Sequence, residues 1–438
     1  MKSPYARRSV GRTVFGALAV VLAAAALTGC GSAVSGTPAA GEIDVRKLAV
    51  GNYPTDPLDV RMENNFGTDT GESGALARLA DSVVTGPDVD PKFSHNVLSL
   101  YLRSSESAKY SSVLAGAVQP VLDGNGMMFG YSAAASTHAL VKSAGFPDDD
   151  TFNPFAGAQG DPDATSFNVT VLQFPDAQQA QTAAVQMEAA DFAVAADQNV
   201  HVTLDKQPDA KAHWRPGIPS LAATLAHGGY VVNVYVAQPS PDLDGLRKFA
   251  DQVFAAQLPL LDQAPALSAR DIFRMQYNPD PMLRRTLHPN QYLDLDAFTE
   301  ITHTARGYLH YVDDQATVKR LLEDSGVDLV STAKKGGLLF RARDAKSATT
   351  LSSGIDKLLP GATDPPAGVP DAACMENPNP KSGFSMDVDG YNAWNAENKY
   401  TCTVHYDRYV ARVASNQLID AQQKAAAQYA VLANSQAL

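Results

Sequence analysis

The sequence predicts an α+β fold in which each of two domains is a mostly antiparallel sheet with helices packed on one face. The chain has 438 residues, 45% of them hydrophobic, which is enough for two domains of about 100–200 residues each. Several short segments alternate apolar and polar residues, as strands do, and others have the apolar spacing of helices. The same order of elements recurs in both halves, which indicates either an internal duplication or a convergent layout.

Residues 1–29 have the composition of a signal peptide. Four basic residues precede an apolar run at residues 14–27, which is too short to span a membrane comfortably. The run ends in Leu27-Thr28-Gly29-Cys30, which resembles the lipobox of bacterial lipoproteins. The resemblance implies that Cys30 is lipidated and becomes the mature N-terminus. Arg7-Arg8 leaves a twin-arginine export route open, although the flanking residues favour ordinary secretion.

Residues 30–43 are predicted to be the lipidated cysteine and a flexible tether, because Gly, Ser, Ala, Thr and Pro dominate this segment. The formal net charge is −12, which argues against nucleic acid as a partner because phosphates require a basic surface. The expected location is the extracytoplasmic face of the cell membrane. There the N-terminal lipid would hold the body by the tether.

The N-terminal domain is predicted to span residues 44–264, with helices first and a sheet after them. Asp176 and Gln179 have the spacing of a helix-capping box, and Gly228-Gly229 separates two apolar runs as a hairpin turn does. The predicted elements are, in order, a helix through Leu76, Leu79 and Val83, a helix at 104–122, a strand at 127–129, a helix at 133–141, a strand from residue 166 through Val171, a helix at 176–194, strands at 199–205, 221–225 and 230–236, and a helix from Ser240 through Val253.

The C-terminal domain is predicted to span residues 265–438 and to repeat the order strand, helix, strand, Gly-Gly hairpin, strand, helix. Asp313 or Asp314 has the position of a helix cap, and Gly336-Gly337 has that of the hairpin turn. The predicted elements are a strand at 307–312, a helix through Leu322, strands at 327–332 and 338–341, a helix at 345–359, a strand at 401–414 and a helix at 417–433.

Cys374 and Cys402 remain as a pair once Cys30 is assigned to lipid. In an oxidising compartment such a pair predicts a disulfide, with two free thiols as the alternative. A metal site is disfavoured, because two cysteines without a local histidine cluster supply too few ligands.

The segment Gly130-Tyr131-Ser132-Ala133-Ala134 is the nearest approach to a catalytic motif. It approximates a nucleophile elbow, in which Ser132 would lie on a strained turn between a strand and a helix. Ala134 occupies the place of the final glycine, and the alternative is a structural serine near the start of a helix. The nine histidines are scattered, and Asp387 to Asn398 lacks the glycine and glutamate of a calcium loop. The sequence therefore predicts no cofactor and no metal.

The chain resembles the uncharacterised two-domain lipoproteins of mycobacteria, nocardiae and related actinobacteria. The lipobox, the segment Leu48-x-x-Gly51-Asn52-Tyr53-Pro54-Thr55 and the late cysteine pair carry this resemblance. It implies an envelope location and a two-domain architecture over nearly the whole chain. No catalytic residue or ligand follows from it.

These observations favour a non-catalytic, lipid-anchored envelope protein that binds a partner protein or a small apolar ligand. One alternative is an exported serine hydrolase that uses Ser132. Another is a sensor or accessory module of an envelope transporter.

Overall fold

The structure is a computed structural model of the chain. It describes residues 43–59, 68–111, 113–139, 163–275, 278–293, 300–358, 361–378 and 398–438. Residues Val45–Leu438 form one compact unit. The predicted signal peptide, Cys30 and the tether through residue 42 lie outside the described residues. Within the described ranges, no helix is long and apolar enough to cross a membrane.

Fourteen strands form the core of the described chain. Their bounds are β1 His95–Leu102, β2 Phe129–Ser136, β3 Ser166–Gln173, β4 Val200–Val202, β5 Lys211–Trp214, β6 Ser220–His227, β7 Tyr230–Ala237, β8 Ile301–Thr304, β9 Leu329–Ala333, β10 Gly337–Arg341, β11 Ala362–Thr363, β12 Ala373–Glu376, β13 Tyr400–Tyr406 and β14 Tyr409–Ser415. Strands β1–β7 form one seven-stranded sheet and β8–β14 another. Every neighbouring pair is antiparallel, which confirms the predicted α+β class with two domains.

Twelve α-helices accompany these strands in the described residues. Their bounds are α1 Thr68–Ala80, α2 Gly86–Val89, α3 Ser105–Tyr110, α4 Gln119–Gly124, α5 Ala177–Ala193, α6 Leu243–Asp262, α7 Ala269–Phe273, α8 Met282–Arg285, α9 Ala305–Leu309, α10 Gln315–Asp324, α11 Ala345–Asp356 and α12 Leu418–Ala433.

The two sheets have the same topology. The first has the strand order β1-β2-β3-β7-β6-β5-β4, and the second, taken from its β8 edge, has the order β8-β9-β10-β14-β13-β12-β11. In both, one helix follows the third strand and another follows the seventh. The chain thus contains two copies of one α+β unit, but the repeat begins at β1 and β8 rather than at residues 166 and 307 as predicted.

Helices cover both faces of each sheet, rather than the single face that we predicted. In the first sheet, α5 packs on the side of Leu172, whereas α6 packs on the side of Val171. In the second sheet, His405 contacts α11 through Thr349, and the ring of Tyr406 contacts α12. Adjacent residues of a strand point to opposite faces, so each sheet is buried between two helical layers.

In the N-terminal domain two predicted helices are corrected and one strand was missed. The predicted helix at 133–141 is wrong, because β2 continues through Ser136 with every residue buried. The predicted helix at 104–122 is broken into α3, a short 3-10 helix and α4, and α4 has a proline in its first turn. Strand β1 was not predicted, because burial on both sides removes the simple alternation of apolar and polar residues.

Two predicted strands of the C-terminal domain are also corrected. Residues 307–312 are not a strand, because Thr304 ends β8 and caps α9 by accepting a hydrogen bond from the Gly307 amide. The single strand predicted at 401–414 is two strands, β13 and β14, joined by a turn in which Asp407 has a φ of 49°. Aspartate is one of the residues that tolerates this left-handed conformation.

The two domains are joined by direct hydrogen bonds at the β1 edge of the first sheet. The Asn96 amide nitrogen donates to the Asp313 carbonyl at 3.0 Å, and the Asn96 side chain donates to the His310 carbonyl at 2.6 Å. The hydroxyls of Tyr101 and Tyr311 lie 2.6 Å apart. These buried contacts hold the two domains in one arrangement.

Residues 45–59 pack against the C-terminal domain. Tyr53, from the segment that carries the family resemblance, donates a hydrogen bond to Asp420 of α12 at 2.6 Å. The Leu58 amide donates to the carbonyl of Arg284 at 3.0 Å. The first described segment of the chain therefore contacts the C-terminal domain, although the N-terminal domain follows it in sequence.

Candidate functional site

Ser132 is buried in the middle of β2, so the predicted nucleophile elbow is wrong. A strand runs through this position without a turn, and residues 137–139, the last described before residue 163, are not helical. The Ser132 hydroxyl lies 2.8 Å from the Thr170 hydroxyl and accepts a hydrogen bond from the Asn168 amide at 2.9 Å. Its neighbours are thus an alcohol and an amide, which do not serve as the base that an elbow serine requires.

Ser132 belongs to a row of polar side chains that crosses the first sheet. Ser132, Thr170, Asn233 and Thr224 are directly opposite one another on four adjacent strands. All four are buried, and Asn233 donates a hydrogen bond to Thr224 at 2.8 Å. Buried polar groups are costly unless they are paired, and this row meets that requirement within itself.

A second row lies next to the first on the same face. It places Tyr235 of β7, Ala222 of β6 and His213 of β5 in register. The small Ala222 therefore lies between two ring-bearing side chains. The result is a slot in the surface of the sheet.

This slot opens into a cleft of about 660 Å³ on the face that α5 partly covers. Its lining combines charged, amide, hydroxyl, aromatic and aliphatic groups. The lining residues are Lys109, Val113, Leu114, Ala115, Gly116, Asp191, Asn199, His213, Trp214, Arg215, Ile218, Ser220, Ala222, Asn233 and Tyr235. Such a mixture of apolar surface with a few polar groups is typical of small-molecule sites.

The His213 wall of the cleft is held from behind by α5. Glu188 Oε1 lies 3.4 Å from Nδ1 of both His213 and His201, and the Phe192 ring stacks on His201 at 4.0 Å. The nearby His213, with His201, holds the pKa of Glu188 below its ordinary value, whereas burial raises that of Asp191. The wall is therefore a packed cluster rather than a single mobile ring.

Two cations, Lys109 and Arg215, lie at the rim of the cleft. Within the part of the chain that the structure describes, neither forms an ion pair. Across the same described ranges, no group of three or more His, Cys, Asp and Glu residues is arranged to hold a metal ion.

The corresponding face of the second sheet is filled by an arginine. Arg412 of β14 lies opposite Thr403 of β13, as Asn233 lies opposite Thr224 in the first sheet. Arg412 is fully buried, and that burial lowers its pKa to about 10. The two copies of the unit have thus diverged, with an open cleft in the first and a buried guanidinium at the matching place in the second.

A second cavity, of about 620 Å³, lies between residues 53–59 and the C-terminal domain. His288 lines it, and its Nε2 lies 2.7 Å from the Leu283 carbonyl. Burial lowers the pKa of His288. The cavity lies in the contact between the N-terminal segment and the C-terminal domain, and both contribute lining residues.

The predicted pairing of Cys374 with Cys402 is present in the structure as a disulfide. The two residues are directly opposite on β12 and β13, with their Cα atoms 4.1 Å apart. The bond ties a strand near the edge of the second sheet to its neighbour, whereas the cleft lies on the first sheet.

The cleft could not be predicted from the sequence, because its lining residues come from five separate segments. One usable signal was present. Asn168 and Thr170 in β3, and Asn233 and Tyr235 in β7, are polar residues at alternate positions of otherwise apolar strands. That pattern predicts a polar stripe on one face of a buried sheet.

Comparisons with known proteins give one family and a weak structural likeness. No curated protein matches the chain. The extracellular domain of PknH from Mycobacterium tuberculosis is similar over 43% of this chain and 96% of that domain, with 16% identity and a TM-score of 0.27. The N-terminal part of a domain of unknown function, DUF7373, matches residues 64–277, and its C-terminal part matches residues 282–435. The chain belongs to the DUF7373 family, whose two parts coincide with its two sheets.

Proposed function

We propose that this protein is a lipid-anchored, extracytoplasmic envelope protein that binds a small molecule, without catalysis, in the cleft of its N-terminal domain. The observation that carries this proposal is the cleft itself, whose mixed lining includes Asn233, the member of the hydrogen-bonded polar row that reaches it. The other copy of the unit has a buried guanidinium at the matching place. That contrast marks the open cleft as a specialised feature of the first copy.

The residues that line the cleft indicate which chemical class of ligand it binds. From the sequence we expected a partner protein or a small apolar ligand, but Asp191, Asn199 and Asn233 line the cleft together with Trp214 and Ile218. An apolar ligand would remove water from the carboxylate and the amides without replacing their hydrogen bonds, which is unfavourable. A ligand with both polar and apolar surface fits better.

The sequence of the predicted signal peptide supports the lipid anchor. A basic start, a short apolar run and the ending at Cys30 follow one another in the order of a lipoprotein leader. Two acyl chains on one cysteine would give stable membrane residence, where one chain gives only marginal binding. Substitution of Cys30 by Ala should move the protein out of the membrane fraction. Retention of the C30A variant in that fraction, at equal expression, would reject the anchor.

Native mass spectrometry tests the binding function. The full chain is purified from its own envelope in mild detergent, and we expect a non-covalent mass that dissociates on denaturation. Ala222→Phe, which fills the slot, should remove this mass. Val185→Ser, which changes an exposed residue of α5 outside the cleft, should retain it. A bare polypeptide mass, or a bound mass that A222F leaves in place, would contradict the proposal.

A further inference from the structure

We propose that the ligand of the cleft is a carbohydrate, an inference that rests on the proposed binding function. The geometry of the slot is the first argument. Tyr235 and His213 are two strands apart, with Ala222 between them, which separates their backbones by about 10 Å. One flat ring in van der Waals contact on both sides requires about 7–8 Å. The slot is therefore wide enough for a single ring above Ala222.

The distribution of polar groups is the second argument. Ser220, Asn233, Asn199 and Asp191 line the cleft around this slot. A sugar ring has hydroxyl groups around its whole periphery and carbon–hydrogen bonds on its two faces. Such a ring would direct its faces toward Tyr235 and His213 and its hydroxyls toward the surrounding oxygens and amides.

The planar side chains at this site suit adjacent hydroxyl groups. A carboxylate has two acceptor oxygens, and an amide has one acceptor and two donor hydrogens in a fixed plane. Asn233 uses its nitrogen to bond Thr224, and Asn199 uses its nitrogen to bond the Phe192 carbonyl. The remaining acceptor oxygen of each amide is thereby held in a fixed orientation, which suits hydroxyl donors.

The rigidity of the wall is the third argument. His213 is packed against Glu188 and edge-to-face with Phe192, whose ring centroid is 5.7 Å away. Phe192 in turn stacks on His201. A wall that is ordered before binding lowers the entropic cost of holding a ligand. This matters for a sugar, because its hydroxyls exchange water for protein with little net gain.

A glycan array tests the ligand class. The full chain is applied to an array that displays pentoses, hexoses, N-acetylhexosamines and hexuronic acids as short oligosaccharides. We expect at least one saccharide to bind, with the signal reduced at least tenfold in Ala222→Phe and in Asp191→Ala. Val185→Ser serves as the matched control and should bind as the unsubstituted chain does. Thermal unfolding checks that each variant is folded. If A222F is not folded, the result for Asp191→Ala decides the test.

The outcomes separate this inference from the proposed function. If no saccharide signal depends on the cleft residues, yet A222F displaces a native mass that contains no sugar on acid hydrolysis, the ligand class is wrong and the binding function stands. If neither the array nor native mass spectrometry gives a signal that A222F removes, both proposals fail. A saccharide signal that A222F and D191A leave unchanged would also overturn the carbohydrate assignment to this cleft.

Discussion

At the scale of single residues, the surroundings of Ser132 indicate a role in stabilising the sheet. Its hydroxyl is shared between Thr170 and the Asn168 amide inside a fully buried row. In such a row each side chain forms hydrogen bonds with its neighbours. A substitution at one position therefore leaves another buried polar group without its hydrogen-bond partner. The sequence motif around Ser132 arises from packing against two neighbouring strands.

Replacement of Ser132 by Ala should therefore reduce stability. The Asn168 amide and the Thr170 hydroxyl would lose a buried partner, and we expect the free energy of unfolding to fall by about 1–2 kcal/mol. Urea denaturation measures this change. Ser240→Ala, at an exposed position, is the control and should alter stability by less than about 0.5 kcal/mol. An S132A variant as stable as the unsubstituted chain would contradict this view of the row.

His310 is a buried histidine at the junction of the domains, and burial lowers its pKa to about 4. Its Nε2 lies 3.3 Å from the Val83 carbonyl, and the ring packs on Tyr131. The titratable groups that act on it from both domains are Asp88, Arg306 and Asp81.

This depressed pKa makes stability depend on pH. In the unfolded chain the pKa of histidine is about 6.5, so the unfolded state takes up a proton first as the pH falls. Stability is therefore complete above pH 6.5 and is lost between pH 6.5 and 4, by about 3 kcal/mol from His310. Urea denaturation at pH 7 and pH 4.5 should show a smaller loss for His310→Gln than for the unsubstituted chain. An equal loss in both would refute this role.

At the scale of elements, local signals predicted those elements whose boundaries depend on the backbone nearby. Asp176 and Asp314 each accept a hydrogen bond from the amide three residues later and begin α5 and α10. The turn at Gly228-Gly229 joins β6 to β7 as predicted, and Gly228 has a φ of +56°. These features are determined within about four residues, so the sequence alone contains the information.

Strand β2 shows where local signals fail. Its segment contains three consecutive alanines, and alanine favours helices. The residues nevertheless form a strand, because β1 and β3 pair with it on both sides and helical layers cover both faces. Tertiary context overrides a propensity difference that amounts to less than about 1 kcal/mol per residue.

The disulfide is the second feature at this scale. Cys374 and Cys402 are 28 residues apart, and closing a loop of this length constrains the unfolded chain by about 3–4 kcal/mol in the chain-entropy model. The double variant C374A/C402A should lose about this free energy of unfolding by urea denaturation. Addition of a reductant to the unsubstituted chain should produce a similar loss. A loss below about 1 kcal/mol would show that the loop closure contributes little.

At the scale of the whole molecule, the two copies of the unit are hydrogen-bonded into one body. Asn96 of the first sheet donates to the carbonyls of Asp313 and His310, and the Gly86 amide donates to the side-chain oxygen of Gln315 at 2.9 Å. Because these groups are buried, separation of the domains would expose them and break several bonds together.

We therefore expect one cooperative unfolding transition rather than two. Asn96→Ala removes the buried donor to His310 and should lower the free energy of unfolding by about 1–3 kcal/mol. Hydrogen exchange should then accelerate in both sheets. Asn125→Ala, which removes a more exposed asparagine of the N-terminal domain, is the matched control and should have a small, local effect. Faster exchange confined to the first sheet in N96A would contradict this coupling.

The sequence by itself determined the α+β class, the helix cap at Asp176, the Gly228-Gly229 hairpin and the pairing of Cys374 with Cys402. Each depends on the order of apolar and polar residues, on turn chemistry within a few positions, or on a simple count of cysteines. Only the tertiary structure decided that β2 is a strand, that helices cover both faces of each sheet, and that Lys109, Asp191 and Tyr235 meet at one cleft. These features depend on hydrogen bonds with, and burial by, strands and helices that are distant in sequence. A local pattern of residues does not specify which of those elements will pack together.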